Sequence, residues 1–218
     1  MNLHTLFYRT LISCLCLTAV ALKANSQETQ NLEDLTFAQM LRSVDLSKEP
    51  KAADLIRKFQ DLEARNKLFN GPLSPKKGKC NIEAYRKKEV ILVTIPASVL
   101  FAPNSTDLSP EASNYLTPIK RYMRNPDMFR VLLVMHTDNT GSPKYRDDIT
   151  ADRIDAVTAW FDQSGADTSF TFSYAYGDET PLVPNTSIEN REKNRRLEVY
   201  LMPGEKMLEE AKKGKIDF

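Results

Sequence analysis

The sequence predicts an α/β fold, more closely an α+β sandwich in which helices cover one face of a single sheet. The unbroken apolar run at residues 131–135 indicates a strand that is buried on both faces, and the mostly apolar residues 90–95 are also expected to form a strand. Two later segments, residues 170–176 and 197–201, alternate in the manner of half-buried strands. Helical spacing separates these segments. The expected order is therefore strand, helix, strand, helix, strand, a short helical or loop segment, and strand.

The two main helices have recognisable ends. The first is expected to begin with Ser109 as the N-cap and Pro110 at the first helical position, and Pro118 predicts a kink or a restart within it. The second is expected over residues 150–164, with Gly165 as the stop signal.

The first 26 residues have the three-part plan of a secretory signal peptide. Arg9 precedes an apolar run of about 13 residues, and cleavage is expected before Gln27. Cys14 ends a sequence that spells a lipoprotein box, but it lies too close to Arg9 for an apolar region of ordinary length. We therefore expect no lipid at Cys14, and no membrane-spanning segment in the mature chain.

Residues 27–88 are predicted to be a helical segment with a linker, ahead of the main domain at residues 89–203. Two short stretches of helical spacing lie on either side of Pro50, and the linker at residues 71–79 is rich in Gly, Pro and Lys. Two short apolar stripes cannot form a stable core alone, so residues 27–88 are expected to dock on the main domain or to bind a partner protein. The tail at 204–218 carries four lysines and four acidic residues and is expected to form a short helix.

Composition excludes several classes of function. Lys and Arg number 30 against 29 Asp and Glu, a balance that gives no reason to expect nucleic-acid binding. After cleavage, Cys80 and His136 are the sole residues of their types, which excludes an internal disulfide and a Cys/His zinc site within the chain. We expect neither a metal ion nor a cofactor.

Two charged residues form the candidate site. Asp138 follows a buried strand directly, where α/β folds place ligands, and Arg153 is expected in the first turn of the second helix. A guanidinium near helical N–H groups suits a carboxylate, and a carboxylate beside it suits an ammonium. The pair would fit a free amino-acid head group. The alternative is that Asp138 and Arg153 simply pair with each other.

A catalytic role is the weaker hypothesis for His136. It ends a strand, where a structural or hydrogen-bonding role is expected, and the chain lacks the G-x-S-x-G turn of a serine hydrolase. We expect a protein that is not an enzyme.

A series of motifs resembles the C-terminal domain of outer-membrane protein A, which also occurs in the peptidoglycan-associated lipoprotein and the flagellar stator protein B. The resemblance covers residues from about 89 to 203. The residues that carry it are Phe101, Asn104, residues 136–141, Tyr145, Ile149, Thr150, Arg153, Gly177, Asp178, Pro181, Asn185 and residues 194–198.

The resemblance implies non-covalent binding of peptidoglycan in the periplasm. Asp138 would bind the ammonium of meso-diaminopimelate in the stem peptide, and Arg153 its carboxylate. The other residues expected in the site are Phe101, Asn104, Thr137, Asn139, Tyr145 and Arg196.

Four positions depart from the family pattern: Ala102, Met135, Arg146 and Ile154. Arg146 would add charge near the pocket. The alternative function is therefore a structural or interaction subunit of an envelope assembly in which wall binding is weak or lost.

Overall fold

The structure is a computed structural model that describes Leu32, residues 35–69, Leu73 and residues 80–218. The expected signal peptide, its cleavage site and Cys14 lie outside the described residues, as does the expected linker apart from Leu73.

Seven α-helices and five β-strands occur in the described part of the chain. In chain order they are α1 (Phe37–Arg42), α2 (Pro50–Glu63) with a π-helical extension (Ala64–Phe69), β1 (Asn81–Tyr85), β2 (Val90–Pro96), α3 (Ala97–Leu100), α4 (Ala112–Lys120), β3 (Phe129–His136), α5 (Pro143–Gln163), β4 (Thr171–Ala175), α6 (Ile188–Asn194), β5 (Arg196–Pro203) and α7 (Glu205–Lys212). None of these helices is long and apolar enough to cross a membrane.

The five strands form one sheet in the order β1-β2-β5-β3-β4. β3 and β4 are parallel, and every other neighbouring pair is antiparallel. β5 comes last along the chain but lies between β2 and β3. The mixed α/β class and the four expected strands are confirmed, whereas β1 was missed because it lies within residues expected to be helical.

The hydrophobic core lies on one face of the sheet. Register places Ile91, Leu201 and Val131 side by side, and residues two apart along each strand continue the same apolar face. Helices α2, α4, α5 and α7 contribute to this core through residues that include Ile56, Leu116, Ile119, Ile154, Val157, Phe161 and Met207. The expectation of helices on one face of the sheet is therefore confirmed.

Helix α2 is tied to the sheet by a buried glutamine as well as by apolar packing. The Gln60 Nε2 group donates to the carbonyl oxygens of Glu89 and Leu201, each at 3.2 Å. Near the end of the helix, the Tyr122 hydroxyl donates to Glu63 at 3.2 Å. Residues 44–218 form one compact unit, which contains the domain boundary expected at residue 88.

Residues before Val44 belong to a separate unit. Its described helix, α1, begins with a capping box: the Thr36 hydroxyl accepts from the Gln39 N–H at 3.3 Å, and the Gln39 side chain accepts from the Thr36 N–H at 2.9 Å. These two bonds satisfy N–H groups that the first helical turn leaves unpaired.

Both main helices begin elsewhere than expected. α4 starts at Ala112 without a side-chain cap, and Ser109 instead donates its hydroxyl to the Val99 carbonyl at 3.0 Å. α5 starts at Pro143, with Ser142 as its N-cap, two turns before the expected start. Those first turns of α5 are mostly polar and exposed, so they carry no apolar stripe that could reveal them.

We predict that Ile56→Ala lowers the free energy of unfolding by about 2–5 kcal/mol, because it leaves a cavity under α2 in a well-packed core. Leu62→Ala on the same helix is the matched control: Leu62 is 57% exposed, and the expected change is below about 0.5 kcal/mol. Urea unfolding of both variants measures the difference. Equal, small effects would show that α2 does not unfold together with the sheet.

Candidate functional site

A cavity of about 1170 Å³ opens beside the carboxyl end of β3. Its walls come from the β3–α5 loop, the first half of α5, and the connection that runs from α3 to α4. Six of the eight residues expected in the site line it: Phe101, Asn104, Thr137, Asp138, Tyr145 and Arg153.

Asp138 lies at the cavity because it follows the end of β3. β3 is buried along its whole length, and the Thr137 N–H then donates to the Gly177 carbonyl at 2.8 Å. The Asp138 Oδ1 atom accepts from the Thr140 N–H at 2.7 Å, which closes a tight turn. The Asp138 carboxylate is therefore fixed in orientation and buried at the cavity wall.

The turn after Asp138 requires a glycine. Gly141 has φ +85°, and a Cβ atom there would lie 2.6 Å from Cδ1 of Tyr145. The Tyr145 ring therefore packs against bare backbone, and its hydroxyl donates to the Asn104 side-chain oxygen at 3.1 Å. Asn104 itself has φ 58°, which asparagine tolerates better than most residues. This bond joins the two sides of the cavity rim.

Arg153 is a buried cation held by neutral groups. Its Nε donates to the Ser105 carbonyl at 2.9 Å, and its guanidinium lies 4.8 Å from the centre of the Phe101 ring. The residue is 5% exposed, and among the described residues no carboxylate pairs with it. Burial lowers the pKa of Arg153, although an arginine side chain keeps its proton in proteins. The cavity wall thus presents a desolvated positive charge.

The alternative in which Asp138 and Arg153 pair with each other is wrong. Asp138 pairs instead with Arg195, whose Nη1 donates to Oδ2 of the carboxylate. Burial alone would raise the pKa of Asp138, but the bonds from Thr140 and Arg195 outweigh it and hold the pKa below the ordinary value. Asp138 is therefore ionised at neutral pH. Because α5 begins at Pro143, Arg153 also lies in the middle of the helix and not in its first turn.

Arg146 turns away from the cavity. Its Nε donates to Asp178 at 2.7 Å and its Nη1 donates to the Gly141 carbonyl at 2.7 Å. The charge is paired, and the side chain joins the β3–α5 loop to the loop after β4. It is not among the cavity residues.

The two remaining expected residues, Asn139 and Arg196, lie outside the cavity lining. Asn139 is exposed. Arg196 is buried on the face of the sheet opposite the core, where its Nε donates to Glu198 at 2.7 Å. His136 lies across from Arg196 in the same register, and its Nε2 lies 3.3 Å from Glu198.

This second cluster is structural. Burial lowers the pKa of His136, so the ring is neutral at neutral pH. Burial alone would raise the pKa of Glu198, but the nearby His136 ring, the bond from the Tyr200 hydroxyl and the charge of Arg196 lower it to about 2. Every member is buried and none lines the cavity.

Arg195 is the functional candidate that sequence reasoning passed over. The resemblance covers residues 194–198, but Arg196 and not Arg195 was expected in the site. Neighbouring residues along an extended chain point to opposite faces, so one of the two arginines had to face the core side with Leu197. That alternation was the available signal. Glu111 and Tyr115 also line the cavity and were likewise missed.

The match to known families falls on this region of the chain. Residues 100–195, which carry every charged group of the cavity, match the model of the OmpA family. Residues 100–195 form an OmpA-family domain.

Two curated relatives of this chain are lipoproteins. It is 26% identical over 122 residues to the probable lipoprotein YiaD of Escherichia coli K12, covering 56% of each chain. It is 31% identical over 109 residues to the outer-membrane lipoprotein YfiB of Pseudomonas aeruginosa, covering 50% of this chain and 64% of that one. The chain thus spans less than two thirds of either relative.

Among solved structures, the chain resembles a putative MotB-like protein from Desulfovibrio vulgaris. The TM-score is 0.59 at 27% identity, over 70% of this chain and 98% of that one. The cell wall anchor of the T6SS from Pseudomonas aeruginosa matches with a TM-score of 0.50 at 21% identity, which establishes a shared fold.

Within the described residues, no group of His, Cys, Asp or Glu is arranged to hold a metal ion.

We predict that Glu198→Gln removes an acid-sensitive part of the stability. The folded-state pKa of Glu198 is about 2 against an ordinary 4.5, so its stabilisation is complete above about pH 4.5 and disappears as the pH falls toward 2. The wild type should exceed the variant by about 3 kcal/mol at pH 7 and by much less near pH 2. Chemical unfolding across this pH range measures the gap.

The control for this titration is Glu209→Gln, at an exposed position, which should change stability by less than about 0.5 kcal/mol at every pH. A gap between wild type and Glu198→Gln that stays constant from pH 7 to pH 2 would contradict the assignment of the low pKa to Glu198.

Proposed function

We propose that this protein binds peptidoglycan non-covalently in the periplasm and links an envelope component to the cell wall. The observation that carries the proposal is Arg153, a buried guanidinium in a large cavity that no described carboxylate neutralises. A desolvated charge without a counter-charge is costly, and a ligand anion would relieve that cost.

The proposed ligand group is the free amino-acid centre of meso-diaminopimelate in the stem peptide. Its carboxylate would bind Arg153, and its ammonium would bind Asp138, which lies in the wall of the same cavity. The fixed turn at Thr140 and the bond between Tyr145 and Asn104 hold the cavity walls before any ligand arrives. Binding therefore requires little ordering of the protein.

The relatives support this proposal at the level of the envelope. They include an outer-membrane lipoprotein and the cell wall anchor of the T6SS. They also support a role in binding and not in catalysis. In agreement, His136, the residue that was considered for a catalytic role, is buried and lies outside the cavity lining.

The alternative of weak or lost wall binding depended on Arg146. Since Arg146 is paired with Asp178 and lies outside the cavity lining, that reason is weakened. We keep the proposal that an envelope partner protein binds through residues 27–88. Within this segment α2 uses its inner face for the core, which leaves exposed positions such as Leu62 for a partner.

We predict that the protein prefers diaminopimelate-type wall over lysine-type wall. The two differ by one carboxylate, so Arg153 would stay unpaired in the lysine complex, at a cost of about 2–5 kcal/mol. This corresponds to roughly 30-fold to several thousand-fold in affinity. Arg153→Ala should weaken diaminopimelate binding to a similar extent and flatten the preference, whereas Asp138→Ala should weaken both. Titration with wall fragments of each type measures these effects.

Arg124→Ala is the matched control, because Arg124 is exposed and lies outside the cavity lining. It should bind like the wild type, and melting curves should confirm that all three variants are folded. Equal affinity of the wild type for the two wall types would refute the role given to Arg153. No binding to either wall type would refute the proposed function as a whole.

A further inference from the structure

A cation of the protein itself contacts the carboxylate that is proposed to bind the ligand's ammonium. Asp138 uses one oxygen for the Thr140 N–H and the other for Arg195. The Asp138 side chain is 3% exposed, whereas that of Arg195 is 35% exposed and lines the cavity. An ammonium that approaches Asp138 from the cavity therefore meets the Arg195 guanidinium beside the same carboxylate.

The backbone of Arg195 is held by two hydrogen bonds, whereas its guanidinium has a single partner within the described residues. Its N–H donates to the Arg191 carbonyl at 3.1 Å and its carbonyl accepts from the Ala97 N–H at 2.9 Å. Asp138 is the one partner of its guanidinium within the described chain. The side chain can therefore move toward solvent without disturbing β5.

The two halves of the proposed amino-acid site are consequently unequal. Arg153 is held by carbonyl groups and an aromatic ring, so a carboxylate can bind it without breaking an ion pair. Asp138 has its ion pair already, and two cations beside one carboxylate repel each other. Binding of the ammonium must weaken or break the contact with Arg195, and that loss subtracts from the affinity.

Resting on the function proposed above, we propose that Arg195 is a specificity-determining residue that competes with the ligand's ammonium for Asp138. It keeps the buried carboxylate neutralised when the cavity has no ligand. It also lowers the advantage of an amine-bearing ligand over one without an amine. The site therefore selects its ligand mainly through the contact of the ligand's carboxylate with Arg153. Arg195 determines how much the ligand's ammonium adds to the affinity.

The test is a calorimetric titration of the purified protein with a stem tripeptide that ends in meso-diaminopimelate. The second probe is the same tripeptide with the side-chain amine of diaminopimelate acetylated. Arg195→Gln should bind the amine form about tenfold more tightly than the wild type does. Its affinity for the acetylated form should stay within about twofold of the wild-type value. Arg195→Lys, which keeps a cation, should resemble the wild type for both probes.

Arg124→Gln is the control for loss of a surface arginine, and melting curves of all variants verify folding. Unchanged or weaker binding of the amine form by folded Arg195→Gln would overturn the inference. If Arg195→Gln does not fold, the Arg195→Lys variant provides the test. Lysine pairs less well with a carboxylate than arginine does, so this variant should bind the amine form no more weakly than the wild type does. A loss of affinity beyond about fivefold would overturn the proposed competition. A wild type that binds neither probe would instead refute the proposed function.

Discussion

Pairing of β5 with β2 on one side and β3 on the other is the interaction on which the rest of the structure depends. The strand directly follows the residues that match the OmpA family, and it completes the centre of the sheet. Two arginines at the start of β5 lie on opposite faces of the sheet. Arg195, just before the strand, contacts Asp138 at the cavity, and Arg196, its first residue, belongs to the buried cluster with Glu198. The site is therefore incomplete until β5 has paired with strands that are distant along the chain.

The two buried charges in the cavity wall have different kinds of partner. Asp138 is neutralised by a neighbour, as most buried carboxylates are, whereas Arg153 is surrounded by carbonyl oxygens and the Phe101 ring. Folding alone gains nothing from leaving a guanidinium without a counter-charge. This asymmetry is what points to an external anion, and it makes the positive side of the cavity the stronger determinant of ligand choice.

Much of the fold could be predicted because β2 and β3 are apolar along their length and β5 alternates clearly. β1 could not be, because its five residues lie in a charged stretch and its place depends on pairing with β2. The positions of Asp138 and Arg153 at one cavity followed from motif order. Their partners did not, because the pairing of Asp138 with Arg195 and of Arg146 with Asp178 joins residues far apart along the chain, and no local spacing encodes such contacts.

A crystal structure of the protein with the diaminopimelate tripeptide bound would test the central claim most directly. The account predicts a ligand carboxylate within about 2.7–2.9 Å of the Arg153 guanidinium, the usual distance for a charged hydrogen bond, with the ligand ammonium against Asp138. A tripeptide bound elsewhere, or bound in this cavity with Arg153 still contacting only carbonyl oxygens, would contradict it.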